Sequence, residues 1–83
     1  MDNNRIGVIG IVIEDRNVAP KVNGILSEYG EIIIGRMGIP YHHKEVSVIS
    51  LIVDGNTDTI GALTGKLGAI HNVNVKSALT KSK

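Results

Sequence analysis

The sequence contains no cysteine, no phenylalanine and no tryptophan, and its aromatic fraction is 2%. Without cysteine, the chain can form neither disulfide bonds nor thiolate metal sites. Without the large aromatic residues, any core must be built mainly from isoleucine, valine and leucine. Hydrophobic residues nevertheless make up 42% of the 83 residues. That share is typical of a globular chain rather than a disordered one.

An excess of one charge and a long apolar run are also missing. Nine Lys and Arg residues balance eight Asp and Glu residues, and no stripe of basic residues is present. We therefore expect no direct binding to nucleic acid. No apolar run reaches the roughly 18 residues that a membrane span needs, and the first residues do not follow a signal-peptide pattern. The sequence accordingly predicts a cytoplasmic protein that does not enter a membrane.

Hydrophobic periodicity predicts a strand and then a helix in the first third of the chain. Residues 6–13 are apolar on both faces of an alternating strand. In residues 18–29 the apolar side chains fall instead at helical spacing. Asn17 is a suitable N-cap, and Pro20 is tolerated in the first turn. Gly30 suits a left-handed stop after the helix.

The following segments repeat this plan. Residues 31–37 are predicted to form a second strand, and residues 38–44 a loop or a ragged hairpin, because Pro40 cannot donate to a sheet ladder. Residues 45–53 are predicted to form the third strand, and residues 73–79 the last one. Between these two lies a second helix, whose apolar residues have helical spacing: Ile60, Leu63 and Leu67.

The resulting order, β-α-β-β-α-β, predicts an α+β protein with the ferredoxin-like split motif, a four-stranded antiparallel sheet with two helices on one face. We expect one domain over residues 1–83, with an ordered core at about residues 5–79. The helices shield one face of the sheet, yet the first and third strands are apolar on both faces. Because uncovered apolar surface favours association, we expect a homodimer or tetramer joined through sheet faces or edges.

Several segments resemble known families. IGVIGIVIEDR, ILSEYGEIIIGRMGIPY, SVISLIVDG and IGALTGKLG look like the ACT-like regulators associated with iron-only hydrogenase systems, and EDRNVAPKVNGILSEYG resembles the first turn and helix of ACT domains. These resemblances imply a small regulatory module that binds an effector between subunits. The second half is also similar to the C-terminal domain of the nickel-responsive regulator, which implies histidines that bind metal between subunits.

The turn before the first helix is the best candidate for a ligand site. It consists of Asp15, Arg16, Asn17 and Val18. Free backbone amides and the helix dipole favour a carboxylate or another anion at such a place, and the Asp15 carboxylate suits an amine. Arg36 lies in an otherwise apolar strand, where it could hold an anion or pair with an acid across an interface. An ordinary helix cap and a solvent-facing edge residue are the structural alternatives.

Histidines supply the candidate metal ligands. His42 and His43, with His71, carry imidazoles, which suit nickel, zinc and copper. Adjacent residues of a regular strand point to opposite faces, so one ion could hardly take both neighbouring side chains. A polar surface loop is the alternative. The cofactor therefore stays open between a small effector (an amino acid or anion), a divalent metal and none.

Two glycines interrupt the second helix. Gly61 and Gly65 each cost about 1 kcal/mol relative to alanine in a helix interior. Close approach to the first helix near Gly24 would explain them, and a deliberately soft helix is the alternative.

No catalytic motif emerges from the sequence, which has neither HExxH nor GxSxG and no complete phosphate-binding loop. We therefore do not expect an enzyme. Three hypotheses stay open. They are an ACT-like sensor that binds a small effector at a subunit interface, a metal-responsive module, and an interaction or assembly subunit without a small ligand. Since no DNA-binding segment is present, a transcriptional role would have to work through a protein partner.

Overall fold

The computed structural model describes residues 4–81. The two ends of the predicted domain, residues 1–3 and 82–83, lie outside that range. Two short 3-10 turns, Arg16–Val18 and Gly30–Ile32, flank the first helix. The strands and helices follow in the predicted order: β1 Arg5–Ile13, α1 Ala19–Glu28, β2 Ile33–Tyr41, β3 Val46–Gly55, α2 Thr57–Gly68 and β4 Val73–Leu79.

The four strands form one antiparallel sheet in the order β2-β3-β1-β4. This is the predicted ferredoxin-like arrangement, in which each helix connects two strands that are not neighbours. The two central strands pair over their whole length, from Arg5 opposite Gly55 to Ile13 opposite Ser47. β1 and β3, the strands that precede the two helices, lie in the middle of the sheet, and β2 and β4, which follow the helices, form its edges.

The core lies between the helices and one face of the sheet. Alternate side chains of β1 and β3 point into it, and facing residues such as Ile9 and Leu51 are fully buried. Each helix contributes the residues that its spacing predicted: Val22 and Leu26 from α1, and Ile60, Leu63 and Leu67 from α2. Full burial of one such side chain stabilises the fold by about 1.5–3 kcal/mol. Neither helix in the described range is long and apolar enough to cross a membrane.

The helix starts differ in how they are capped. Asn56 caps α2, since its Oδ1 accepts a hydrogen bond from the Thr59 backbone N–H at 2.7 Å. The prediction that Asn17 caps the first helix is wrong. Asp15 is the capping residue of the preceding 3-10 turn, where its Oδ1 accepts from the Asn17 N–H at 2.9 Å. The 3-10 turn leads directly into the α-helix, as such turns often do, and α1 starts without a side-chain cap of its own.

The end of α1 also departs from the prediction. Gly30 does not adopt a left-handed conformation, because no glycine in residues 4–81 has a positive φ. The chain instead tightens into the second 3-10 turn, in which the Ile32 N–H donates to the Tyr29 carbonyl oxygen at 3.1 Å. Positive φ occurs at Glu45 and Asn72, each in a turn that leads into a strand.

The prediction that the second strand ends at Met37, before Pro40, is wrong. β2 continues through it to Tyr41, with Pro40 opposite Ser47. The strand tolerates proline because it forms an edge of the sheet, where an amide that faces outward has no ladder partner to lose. The pairing of β2 with β3 has a register shift between Ile33 and Gly35, which is typical of a β-bulge. The tight β2–β3 turn spans only residues 42–45.

Lys66 of α2 contacts the C-terminal end of α1. Its Nζ lies 3.5 Å from Glu28 Oε2 and 5.1 Å from the centre of the Tyr29 ring. A hydrogen bond with Tyr29 and the negative charge of Glu28 raise the pKa of Lys66 above its ordinary value of 10.5. The ammonium group is therefore charged at neutral pH. Because both charged side chains are at least half exposed, the contact orients the helices more than it stabilises them.

Three glycines of the helices have no packing partner among residues 4–81. A Cβ atom added at Gly24, Gly61 or Gly65 would have no other atom within 4 Å. The predicted close approach of the two helices at these residues is therefore wrong. The core holds the helices through their larger apolar side chains on the opposite side. Glycine at these exposed positions leaves the backbone of the helix free to unfold locally at a lower cost.

Gly65→Ala is expected to raise the free energy of unfolding by about 0.5–1 kcal/mol. Alanine enters open space there and reduces the entropy of the unfolded chain. Urea denaturation followed by circular dichroism measures the change. Gly55→Ala is the control, since its Cβ would lie 3.0 Å from Ile32 Cγ2 and is expected to destabilise. A loss of stability in Gly65→Ala would show that α2 is covered from outside.

Candidate functional site

The sheet face opposite the helices, here called the open face, is apolar. It carries the alternate residues of β1 and β3 that do not point into the core, together with their neighbours on β2. Their exposed fractions range from 36% at Val12 to 63% at Met37. Both faces of the central strands are thus apolar, as their sequences predicted. The exposed apolar residues of the open face are Ile6, Val8, Val12, Met37, Ile39, Tyr41, Val48 and Ile52.

Polar side chains surround this apolar surface. Asn74 lies opposite Val12 on β4, and its Nδ2 donates a hydrogen bond to Glu14 Oε1 at 2.9 Å. Lys76 is the next residue of β4 on the same face, opposite Gly10, and Asp54 lies near the C-terminal end of β3. An apolar centre with a polar rim that carries both charge signs is the usual anatomy of a protein–protein interface.

Arg36 stands on the other side of the sheet, beside the first helix. It pairs with Leu51 of β3, and its Nη2 donates to Asn23 Oδ1 of α1 at 3.1 Å. Both residues are exposed. A guanidinium group has five N–H donors, and this is its one hydrogen bond among the described residues. The remaining donors are therefore available to a carboxylate or another planar anion, which arginine binds with two parallel hydrogen bonds.

Two clefts between α1 and β2 share Arg36 as a wall. One has a volume of about 150 Å³ and lies against the start of α1, at Ala19 and Asn23. The other has a volume of about 340 Å³ and lies against the end of α1, at Ser27 and Gly30. Cofactor and ligand pockets are typically about 300–1,000 Å³, so the larger cleft has room for a small metabolite.

The predicted ligand turn lies next to the smaller cleft but does not line it. Asp15 is half-buried, and its Oδ1 accepts a hydrogen bond from the Asn17 N–H, so Asp15 acts as a capping residue. Arg16 and Asn17 are exposed, and Val18 packs against the core. Arg36 is the one predicted ligand residue that lines the clefts. The sequence analysis missed its partner Asn23. In the sequence, Asn23 is one polar residue of an amphipathic helix, and no motif marks it as a ligand residue.

The three histidines are not gathered into one site. His42 and His43 lie in the β2–β3 turn, where the His43 ring meets the Tyr41 ring edge-on with centres 6.0 Å apart. His71 lies in the turn before β4, which is the other edge strand of the sheet. Within residues 4–81 no three His, Cys, Asp or Glu side chains are placed to hold a metal ion. The metal site stays a prediction that would need ligands from a second chain.

These features define a class of protein. The fold is similar to that of the ACT domain from the GTP pyrophosphokinase of Chlorobium tepidum, with a TM-score of 0.73 and 23% sequence identity over 92% of this chain and 88% of that one. The nitrogen regulatory PII-like protein CPII from Thiomonas intermedia K12 shares the fold more distantly, with a TM-score of 0.53 and 13% identity over 92% and 91% of the two chains. The chain thus has an ACT-like fold.

Its family is narrower than that class. Residues 5–77 match the model of the TM1266-like family, described as "Iron-only hydrogenase system regulator, putative", and the chain belongs to this family. The structure of protein TM1266 from Thermotoga maritima is similar throughout, with a TM-score of 0.89 and 40% identity over 94% of this chain and 99% of that one. Among curated proteins, no sequence matches this chain significantly. The family resemblance seen in the sequence is confirmed, and the likeness to the nickel-responsive regulator stays a prediction.

Proposed function

We propose that this protein is an effector-binding regulatory subunit of a homo-oligomer rather than an enzyme. The observation that carries the proposal is the position of Arg36, whose guanidinium group lies between two clefts at the α1–β2 boundary. The family description, that of a regulator in a hydrogenase system, supports a regulatory role. In the cytoplasm, binding would shift the geometry of the oligomer or its affinity for a protein partner.

The chemistry of the clefts points to a small anion with an apolar part. Arg36 provides a permanent positive charge, and Asn23 fixes the orientation of its guanidinium plane through the hydrogen bond between them. Apart from Ser27, the rest of the larger cleft is built from aliphatic side chains and glycine backbone: Leu26, Gly30, Ile33, Ile34 and Gly35. A carboxylate on a short aliphatic body, such as an amino acid, matches this combination of one charge and an apolar wall.

Such a ligand can regulate because the cleft joins two elements of the fold. Its walls come from the helix α1 and from the bulged start of the edge strand β2. A ligand that binds both would stabilise one position of α1 relative to the sheet. A ligand can shift the equilibrium between two conformations only if it contacts them differently. A ligand of this cleft would do so if α1 takes a different position relative to the sheet in each conformation. Surfaces formed by α1 or β2 would then change with it.

Thermal unfolding in the presence of amino acids and small carboxylates tests the site. A ligand at 100 times its Kd is expected to stabilise the protein by about 2.7 kcal/mol. Arg36→Gln is expected to weaken binding at least tenfold because it removes a charge-assisted, two-bond contact. Arg36→Lys is expected to recover part of the affinity, since lysine keeps the charge but not the planar pair of donors.

Two control variants localise the effect. Lys21→Gln removes an exposed charge from α1 and should leave binding unchanged. Arg16→Gln removes the arginine of the predicted ligand turn. If Arg16→Gln abolishes binding and Arg36→Gln does not, the effector binds at the turn before α1 instead. If no carboxylate or amino acid shifts the unfolding temperature, the assembly function without a small ligand is the better account.

A further inference from the structure

At the centre of the open face lies a shallow hollow formed by Gly10 and Ser50. These two residues are direct partners on β1 and β3. The pairs on either side of them are large and apolar: Val12 with Val48, and Val8 with Ile52. The smallest pair of the two central strands is therefore set between two ridges. Met37 lies beside Ser50 on β2, and Lys76 lies beside Gly10 on β4.

No contact among the described residues requires glycine at residue 10. A Cβ atom there would find one atom within 4 Å, the Lys76 carbonyl oxygen at 3.9 Å, which is an ordinary contact. Its φ is not positive. Glycine in a central strand weakens the strand and often marks a place where another surface approaches closely. Because β1 lies in the middle of the sheet, the approaching surface must come from above the open face.

We propose that the open face packs against the open face of a second copy of this chain, with the Gly10–Ser50 hollow receiving an apolar side chain of that copy. The inference rests on the proposed function, which requires a homo-oligomer, and it specifies which surface forms the contact. Two sheets that pack face to face lie about 10 Å apart and interdigitate their side chains. A hollow between two ridges suits such interdigitation.

The size of the surface fits a dimer. Eight apolar side chains, each between 36% and 63% exposed, present on the order of 500 Å² of apolar area. The polar rim of Glu14, Asp54, Asn74 and Lys76 extends this area toward the roughly 800 Å² per partner that a stable interface buries. A rim of both charge signs lets two identical faces meet without repulsion, as does the net charge of +1.

The edges of the sheet are less suited to pairing. The edge strand β2 contains Pro40, which cannot donate a hydrogen bond, and Arg36, which would have to lie against the added strand. The other edge strand, β4, carries Lys76. Proline and charged residues on edge strands are the usual protection against edge-to-edge pairing. On the open face the charged residues are confined to the rim, and the paired residues at its centre are uncharged: Val8, Gly10 and Val12 with Val48, Ser50 and Ile52.

Light scattering coupled to gel filtration over a dilution series tests the proposal. The wild-type chain should have twice its 8.8 kDa mass and dissociate on dilution. Gly10→Val and Ser50→Val, which fill the hollow, should each weaken dimerisation about ten- to hundredfold, since overpacking costs about 1–3 kcal/mol. A Cβ atom at residue 10 has room, and valine favours strands at both positions, so circular dichroism should show an unchanged fold. Ala62→Val, on the exposed side of α2, is the control and should dimerise normally.

A crosslinking experiment covers the case in which the filled variants fail to fold. The chain has no cysteine, so Ser50→Cys introduces one thiol. A short bismaleimide should join two Ser50→Cys chains efficiently and two Ala62→Cys chains poorly. An oligomer that resists both valine substitutions and crosslinks equally from both sites would overturn the face-to-face contact while leaving the proposed effector site intact. A chain that is monomeric at all concentrations would overturn the oligomer as well.

Discussion

Leu51→Ala is expected to lower the free energy of unfolding by about 2–5 kcal/mol. Leu51 is fully buried in the middle of β3, opposite Ile9 and in the core to which both helices contribute. Alanine would lose the transfer free energy of the removed atoms and leave a cavity, because the packed neighbours relax only in part. A domain of this size has a total stability of about 4–12 kcal/mol, so the loss is a large part of it. Urea unfolding followed by circular dichroism measures it, since the chain lacks tryptophan.

Ile52→Ala is the matched control for this prediction. Ile52 is the next residue of the same strand but lies on the open face, where 41% of it is exposed. In an isolated chain its truncation is expected to cost about 1 kcal/mol or less. A cost that grows with protein concentration would report burial by a second copy. Equal losses for the two variants in the dilute monomer would contradict the division of the sheet into a buried and an open face.

Gly7→Ala is expected to destabilise the fold by about 1–3 kcal/mol, or to prevent folding. Gly7 is buried on β1 and pairs with Leu79 of β4. A Cβ atom there would lie 2.5 Å from the Ala78 carbonyl oxygen and would also overlap the Leu79 side chain. The side chain can turn away, but the carbonyl belongs to the neighbouring strand, so β4 would have to move. Thermal unfolding and the yield of folded protein measure this effect.

Gly10→Ala is the control on the same strand, three residues further on. Its Cβ atom has room, so the free energy of unfolding should change by about 0.5 kcal/mol or less. If both alanine variants lose the same stability, the loss is a general effect of replacing glycine in this strand, and the contact with β4 does not cause it. If only Gly7→Ala is affected, the close approach of β1 and β4 is the cause.

Short-range patterns in the sequence predicted most of the secondary structure correctly. The final strand was predicted at residues 73–79, which are its bounds in the structure, and the buried residues of both helices have the helical spacing that predicted them. These features depend on which side chains repeat at 2 or 3.6 residues, and that repetition is visible in any window of the chain. The family resemblance then strengthened the fold prediction, because its segments span nearly the whole domain.

Predictions that depended on a single residue were less successful. Pro40 was interpreted as the end of a strand, but only the position of β2 at the sheet edge decides whether a proline is tolerated. Asn17 and Asp15 are both good capping residues, and the 3-10 turn before α1 selected Asp15. The candidate site changed for the same reason. Arg36 was singled out from the sequence, but its contact with Asn23 joins residues 13 apart in the chain.

The sequence by itself determined the order of strands and helices and the aliphatic composition of the core. It did not determine which face of the sheet the core occupies, because residues of β1 and β3 are apolar on both sides and alternation alone treats the two sides alike. The tertiary structure decided that question by placing both helices over Ile9, Ile11 and Leu51. Strand periodicity is a local property, whereas the burial of a face depends on how distant segments pack. The open face, the hollow and the Arg36 clefts all follow from that packing.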